Sequence, residues 1–242
     1  MIQIENVTKT YNTSVRAVNQ LNLTVNDGEI VGFIGPNGAG KTTTLKMMTG
    51  ILRPDSGTIK INGNDIQKEP LKAKQDIGYI ADSPDMFLRL KGIEFMNLIS
   101  DIYKVPLNIR KERIKTFAVR FELTDVLDKP MQSYSHGMRQ KMMVAAALVH
   151  NPAVWILDEP LTGLDPKSAY NLKTMMREHA DAGNSVLFST HVLEVAEKLC
   201  DKVIIINHGE TLFYGTLDEL TAQHPNKDLE QIFLEMTAHE SI

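Results

Sequence analysis

Two textures of apolar and polar positions divide the chain. Ile2–Val7 and Leu21–Val25 place apolar residues at every second position, which predicts half-buried strands. Glu29–Ile34 is a continuous β-rich run, and β texture returns at Val154–Leu157, Ser185–Ser189 and Lys202–Ile206. Unbroken apolar runs suit parallel strands covered on both faces. Lys41–Gly50, Pro166–Ala182 and Val192–Leu199 predict helices between them. A short strand, Thr58–Asn62, lies between turn chemistry at Pro54–Gly57 and at Asn62-Gly63. From about Leu90 to Val149 the spacing becomes 3.6, with Phe95, Leu98, Ile99 and Ile102 on one stripe. Val105-Pro106 breaks that pattern; further helices are expected from about Ile109 to Phe121 and from near Gly137 to Val149. Strands alternating with helices predict an α/β fold with a mostly parallel sheet, interrupted by a helical insertion. The tail after Gly215 is polar, and its amphipathic segment Leu229–Met236 is expected to dock on its own domain, the alternative being a partner.

Composition narrows this picture. At 242 residues and 43% apolar content the chain can bury a core without disulfide or metal staples. Its 26 basic and 30 acidic residues give a net charge of −4, which argues against a nucleic-acid partner. The single cysteine, Cys200, cannot form an internal disulfide, so a reducing compartment is the default reading. No apolar run approaches the ~20 residues that cross a bilayer. The first residues alternate like a strand and lack the pattern of a signal peptide. A cytoplasmic protein is expected, and any work at a membrane requires a separate partner.

The strongest chemical signal is Gly35-Pro36-Asn37-Gly38-Ala39-Gly40-Lys41-Thr42, which follows a predicted strand and opens a predicted helix. It fits the phosphate-binding pattern G-x-x-x-x-G-K-[ST] in its required context. Glycines let backbone N–H groups converge on phosphates, and the helix N-terminus adds its positive dipole end. Lys41 supplies a point charge and the Thr42 hydroxyl is placed for Mg²⁺. The second signal is Val154-Trp155-Ile156-Leu157-Asp158-Glu159-Pro160, an apolar strand ending in two carboxylates. Asp158 would face the magnesium, and Glu159 the attacking water as general base. Read instead as a solvated acidic turn, this segment would leave phosphoryl transfer without its metal carboxylate and its water-orienting group.

With these motifs in this order, the chain resembles the ATP-binding subunit of ATP-binding cassette (ABC) transporters over nearly all of residues 1–220. The resemblance implies a P-loop NTPase with a mostly parallel central sheet, an antiparallel β edge region and an inserted helical subdomain at about 85–150. Residues 221–242 then form a C-terminal tail. Tyr11 matches the aromatic that stacks on adenine. Tyr134-Ser135-His136-Gly137-Met138-Arg139-Gln140 matches the family's signature segment, Gly163-Leu164-Asp165-Pro166 the loop after the acidic pair, and Ser189-Thr190-His191 the switch histidine. Two such domains are expected to pair head to tail, the phosphate loop of one facing the signature of the other, with ATP between. Nucleotide contacts are implied for Tyr11, Gly35, Pro36, Asn37, Gly38, Ala39, Gly40, Lys41, Thr42 and Thr43. Ser135 and Gly137 would reach the γ-phosphate held by the other copy. Lys41, Glu159 and His191 would carry hydrolysis, and Thr42, Asp158 and Asp82 would hold Mg²⁺. Asp165 would line the dimer seam.

Departures from the family pattern are local. Tyr134, His136 and Met138 replace the first, third and fifth residues of the usual Leu-Ser-Gly-Gly-Gln, and Asp82 stands where glutamine is usual. The implied partners are an integral membrane permease and a second ATP-binding subunit, identical or related. That places the chain on the cytoplasmic side of a membrane. The permease would meet the region from Ser83 to about Phe95, where Met86, Phe87, Leu88 and Leu90 offer an apolar dock; the alternative is that they begin the core of the helical subdomain. The signature is similar to that of bacterial export-type cassettes for drugs, antibiotics or peptides. Two other readings lose ground. Soluble ABC-type ATPases of DNA repair or the ribosome usually carry a coiled-coil insertion or two cassettes, and neither is visible. A P-loop GTPase would show an Asn-Lys-x-Asp guanine reader, and the signature segment would then have no role.

Overall fold

The computed structural model describes residues 1–11, 15–83 and 87–238. In chain order the elements are β1 (Ile2–Tyr11), β2 (Val15–Val25), β3 (Ile30–Ile34), α1 (Lys41–Met48), β4 (Ser56–Ile61), β5 (Asn64–Asp65), α2 (Pro70–Gln75) and β6 (Ile77–Ile80). Then come α3 (Gly92–Ile102), α4 (Leu107–Arg120), α5 (His136–Leu148), β7 (Val154–Leu157), α6 (Pro166–Asp181) and β8 (Ser185–Thr190). The chain closes with α7 (Leu193–Leu199), β9 (Lys202–Asn207), β10 (Glu210–Gly215), α8 (Leu217–Gln223) and α9 (Leu229–Ala238).

Two sheets are formed. The larger has the order β10-β9-β3-β8-β7-β6 and is parallel except at β10. The smaller is antiparallel, in the order β2-β1-β4-β5. The antiparallel β region is thus a separate four-stranded sheet, with β10 as a second antiparallel element on the main one. Successive residues of the parallel strands point to opposite faces, and each face has its own core. Trp155, Leu157, Val186 and Phe188 pack under α3, α5 and α6. Val154, Ile156, Leu187 and Phe33 join the inner face of the small sheet and α1. On the outer side of β3 and β9, Ile34, Val203 and Ile205 meet Ala196, Leu220, Leu229 and Ile232. Leu229 and Ile232 of α9 are buried there, so the amphipathic tail segment packs on its own chain.

Three differences from the sequence pattern have local causes. β1 and β2 extend to Tyr11 and start at Val15, well beyond the clean alternation. Register shifts break the period of two along this pair, and Asn6 and Gln20 adopt positive φ. The buried stripe of α3 is Gly92, Phe95, Met96 and Ser100; Ile102, expected inside, is 60% exposed. Gly92 lies so close to Tyr134 and Met142 that a side chain there would collide with both, and this approach sets the helix phase. Helix α2 and strands β6 and β10 were not anticipated. Strand β6 is only four residues long, and β10 keeps only Gly215 fully buried.

The arrangement matters because of where the strands stop. Ile34 pairs with Thr190, Leu157 with Phe188 and Ile80 with Leu157 in parallel register. The segments after β3, β6, β7 and β8 therefore emerge along one edge, the carboxyl edge of the sheet, where open α/β sheets bind ligands.

Candidate nucleotide site

A cavity of about 230 Å³ lies at this edge, lined by Pro36, Asn37, Gly38, Lys41, Asp82 and Glu159 among others. Gly40, Thr42 and Thr43 also reach it, as does Ala17 from β2. Residues from four separate stretches of sequence thus meet: the Gly-rich loop with the start of α1, Asp82 and Glu159, together with Ala17, which the sequence did not point to. Tyr11, at the end of β1 and 40% exposed, is not among the described residues that line it. Neither are Ser135 and Gly137.

Lys41 opens α1 and is almost fully buried. Its ammonium donates to the Gly35 carbonyl at 2.5 Å and to the Pro36 carbonyl at 3.3 Å, and lies 3.7 Å from Glu159 Oε1. Burial holds its pKa below the ordinary lysine range, while Glu159 and Asp158 pull it back up. No acidic residue occupies the first turn of α1, so its free N–H groups and the buried cation face the cavity together. A buried cation at a helix N-terminus suits a bound anion.

Asp158 is 1% exposed. Its Oδ1 accepts a 2.7 Å hydrogen bond from the Ser189 hydroxyl, and its Oδ2 is buried without a well-formed hydrogen bond, with the Thr42 hydroxyl nearby. Burial pushes the carboxyl above its usual range, with the Ser189 and Thr42 hydroxyls opposing that shift. A buried carboxylate oxygen left unsatisfied is costly unless something outside the chain completes it. Glu159 follows in a left-handed backbone conformation, φ 46°, and its N–H donates to Ser189 Oγ at 2.9 Å. That turn swings its carboxylate away from Asp158 and toward Lys41 and His191. His191 Nδ1 sits 3.0 Å from Glu159 Oε2.

Ser189 is the residue that sequence reasoning missed. Fully buried at the end of β8, it joins Asp158 and Glu159 through one hydroxyl. A small hydroxyl following the apolar run Val186–Phe188, two positions before the switch histidine, was the available signal.

The signature segment is a helix start. Ser135 caps α5, its hydroxyl accepting from the Met138 N–H at 3.2 Å, and it is exposed. Tyr134 is buried, its hydroxyl donating to the Val126 carbonyl at 2.5 Å. Asp165 caps α6, accepting from the N–H of Ser168 at 2.9 Å and its hydroxyl at 2.5 Å. These bonds hold its carboxyl at about 2.

The proposed dock is partly visible. Met86 lies outside the described residues. Phe87 is half exposed and packs against Phe95, ring centroids 5.6 Å apart. A largely apolar cavity of about 330 Å³ opens beside them, lined by Tyr79, Phe87, Phe95, Ile99, Tyr103 and His150 among others. Among the described residues no helix is long and apolar enough to cross a membrane.

A strand-loop-helix phosphate cradle beside a buried acidic strand end defines a P-loop nucleotide-binding domain. The comparisons agree. Residues 18–162 match the family described as "ABC transporter". The chain is 36% identical over 221 residues to the ABC transporter ATP-binding protein NatA of Bacillus subtilis, covering 91% of this chain and 90% of that one. It is 36% identical over 219 residues to the daunorubicin/doxorubicin resistance ATP-binding protein DrrA of Streptomyces peucetius, covering 90% of this chain and 66% of that one. A solved ATP-binding subunit of an ABC transporter superposes with a TM-score of 0.93 at 30% identity, covering 98% and 99% of the two chains. The dimeric post-hydrolysis cassette MJ0796 bound to ADP and Pi superposes at 0.81 with 25% identity, covering 90% and 99%. The chain belongs to the ABC transporter family. Within it the chain is an ATP-binding subunit, and the reaction its site serves is ATP hydrolysis.

Proposed function

We propose that this chain energises an export complex in a membrane, clamping ATP between itself and a second ATP-binding subunit and releasing that clamp on hydrolysis. The observation that carries the reading is the meeting of buried Lys41 and His191-bound Glu159 on one cavity, with the buried Asp158 behind it against Thr42 and Ser189. Lys41 and the N–H groups of α1 would hold the β and γ phosphates. Glu159 would take the proton of the attacking water, and His191 would fix the carboxylate in line. Tyr11 would stack on the adenine.

An oxygen-only donor set suits a hard cation that arrives with phosphates. Among the described residues no group of three or more His, Cys, Asp or Glu could hold a metal unaided. Thr42, Asp158 and Asp82 would hold Mg²⁺, which would supply charge neutralisation on the phosphates when bound.

Ser135 and Gly137, at the exposed start of α5, would meet the triphosphate of the other subunit, which pairs head to tail with this one. The dimeric form of the MJ0796 cassette supports that pairing. An integral membrane subunit would dock at the apolar cavity beside Phe87, and this would place the chain on the cytoplasmic face. The likeness to DrrA and the form of the signature support export.

Glu159→Gln tests the reading. ATP binding should persist while turnover falls ~10²–10⁴-fold, the range of a lost general base. Near-normal phosphate release would remove Glu159 from the role.

A further inference from the structure

Three side chains of α5 grip the loop that follows Glu159. Gln140, 2% exposed, donates from Nε2 to the Pro160 carbonyl at 3.4 Å. Lys141 Nζ lies 3.5 Å from Asp165 Oδ2. The third contact is steric. The His136 ring covers Gly163, where a methyl group would come within 2.6 Å of Cδ2 and 2.9 Å of Nε2. A methyl group on Gly137 would in turn sit 3.5 Å from the Gly163 carbonyl, so the start of α5 lies directly on this loop. Positions 136 and 140 share one helix face, and 141 lies beside them. One side of α5 thus holds the loop from Pro160 to Asp165 at its beginning, middle and end.

The two ends of this contact carry different chemistry. The N-terminus of α5 carries Ser135 and Gly137. The loop hangs from Glu159, whose backbone is fixed by Ser189 in a left-handed turn. We infer that His136 is a positioning residue for hydrolysis at this chain's own Glu159, its ring wedged on Gly163 so that the signature helix and the carboxylate shift as one body. The inference rests on the reading of Glu159 as general base. Among the three gripping residues His136 alone acts by shape, and Gly163, at φ +76°, is the residue it fits.

The experiment is steady-state ATP hydrolysis by the full chain carrying His136→Ala, His136→Gln, Gly163→Ala and the double change H136A/G163A. His136→Ala should lower kcat about tenfold and leave KM for ATP within about twofold, as expected for a small misplacement of the reacting groups. His136→Gln, which keeps a planar end, should recover part of the loss. Gly163→Ala should cost more turnover beside His136 than in the H136A background, because removing the ring leaves room for the methyl group. Each outcome decides. A raised KM with unchanged kcat would make His136 a nucleotide contact, and unchanged kinetics would leave it idle; either overturns the inference. Equal losses from Gly163→Ala in both backgrounds would overturn it as well, and that comparison stands even where His136→Ala lowers stability. Glu159→Gln separates the two readings. Full activity there removes the base itself, whereas an inactive E159Q beside an unaffected H136A removes only the wedge.

Discussion

His191 Nδ1 and Glu159 Oε2 lie 3.0 Å apart, while Lys41 Nζ stands 3.7 Å from the other oxygen of the same carboxylate. Glu159 is therefore held between two nitrogen groups. Without the imidazole, the ammonium is left to draw the carboxylate toward the phosphate cradle and off the line of attack. His191→Ala should lower kcat ~10–100-fold with ATP affinity retained, the scale of a misplaced reacting group. Phosphate release and equilibrium nucleotide binding measure the two quantities separately, and unchanged turnover would show that the pairing has no catalytic part.

Burial of the Asp158 carboxylate costs stability. Its folded pKa is raised, so the folded state holds the proton more tightly than the unfolded chain does. Its stabilising contribution is present at acid pH and is lost as pH rises through the folded value. Asp158→Asn should then raise the melting temperature of the nucleotide-free chain at neutral pH by about 2–4 °C, equivalent to ~1 kcal/mol. That gain should shrink on acidification, where Asp158 is neutral too. Mg²⁺ with ATP should stabilise the unaltered chain more than the variant. A lower melting temperature for Asp158→Asn at neutral pH would contradict this account.

Two glycines of the phosphate loop answer different demands. Gly38 has φ +83° and open space where a side chain would go, whereas a side chain on Gly40, at φ +106°, would strike the Ala17 carbonyl. Gly38→Ala should fold with a loss of ~1 kcal/mol from backbone strain and weaken nucleotide binding through the lost close approach. Gly40→Ala should lose clearly more stability, because β2 must move away. Thermal melts of the two variants decide the order.

Two histidines are half-buried, where desolvation disfavours the charged ring. His150 Nε2 lies 3.1 Å from the Ile77 carbonyl, and the ring stacks on Tyr103 at 3.6 Å. His179 meets the edge of Trp155 at 5.6 Å. Burial depresses both from 6.5 to about 4. The folded state therefore takes up fewer protons than the unfolded chain, and their stabilisation is full above pH 6.5 and lost as pH falls toward about 4. Urea midpoints followed by the fluorescence of the single tryptophan, Trp155, should fall across that window. His179→Phe should make the fall shallower; an identical slope would exclude His179.

The extent to which the site was legible in the sequence follows from how each residue acts. Lys41, Thr42, Asp158 and Glu159 sit in short contiguous motifs whose local geometry is nearly complete, so their types and spacing carry the meaning. Ser189 acts through a bond across 31 positions to Asp158, and nothing beside it in the chain marks that bond. Ile102 illustrates the same limit in the core. It fits the apolar stripe of α3, yet the close approach of Gly92 to Tyr134 turns another face inward.

By itself, the sequence determined the alternation of strands and helices, the phosphate cradle and the acidic strand end, because local periodicity and backbone chemistry dictate them. Only the tertiary structure decided that the parallel strands end at one edge, that Ser189 ties the Asp158 carboxylate to the Glu159 backbone, and that α5 holds the loop after Glu159. These depend on register and packing between segments far apart in the chain, where the energy lies in contacts that no local pattern encodes.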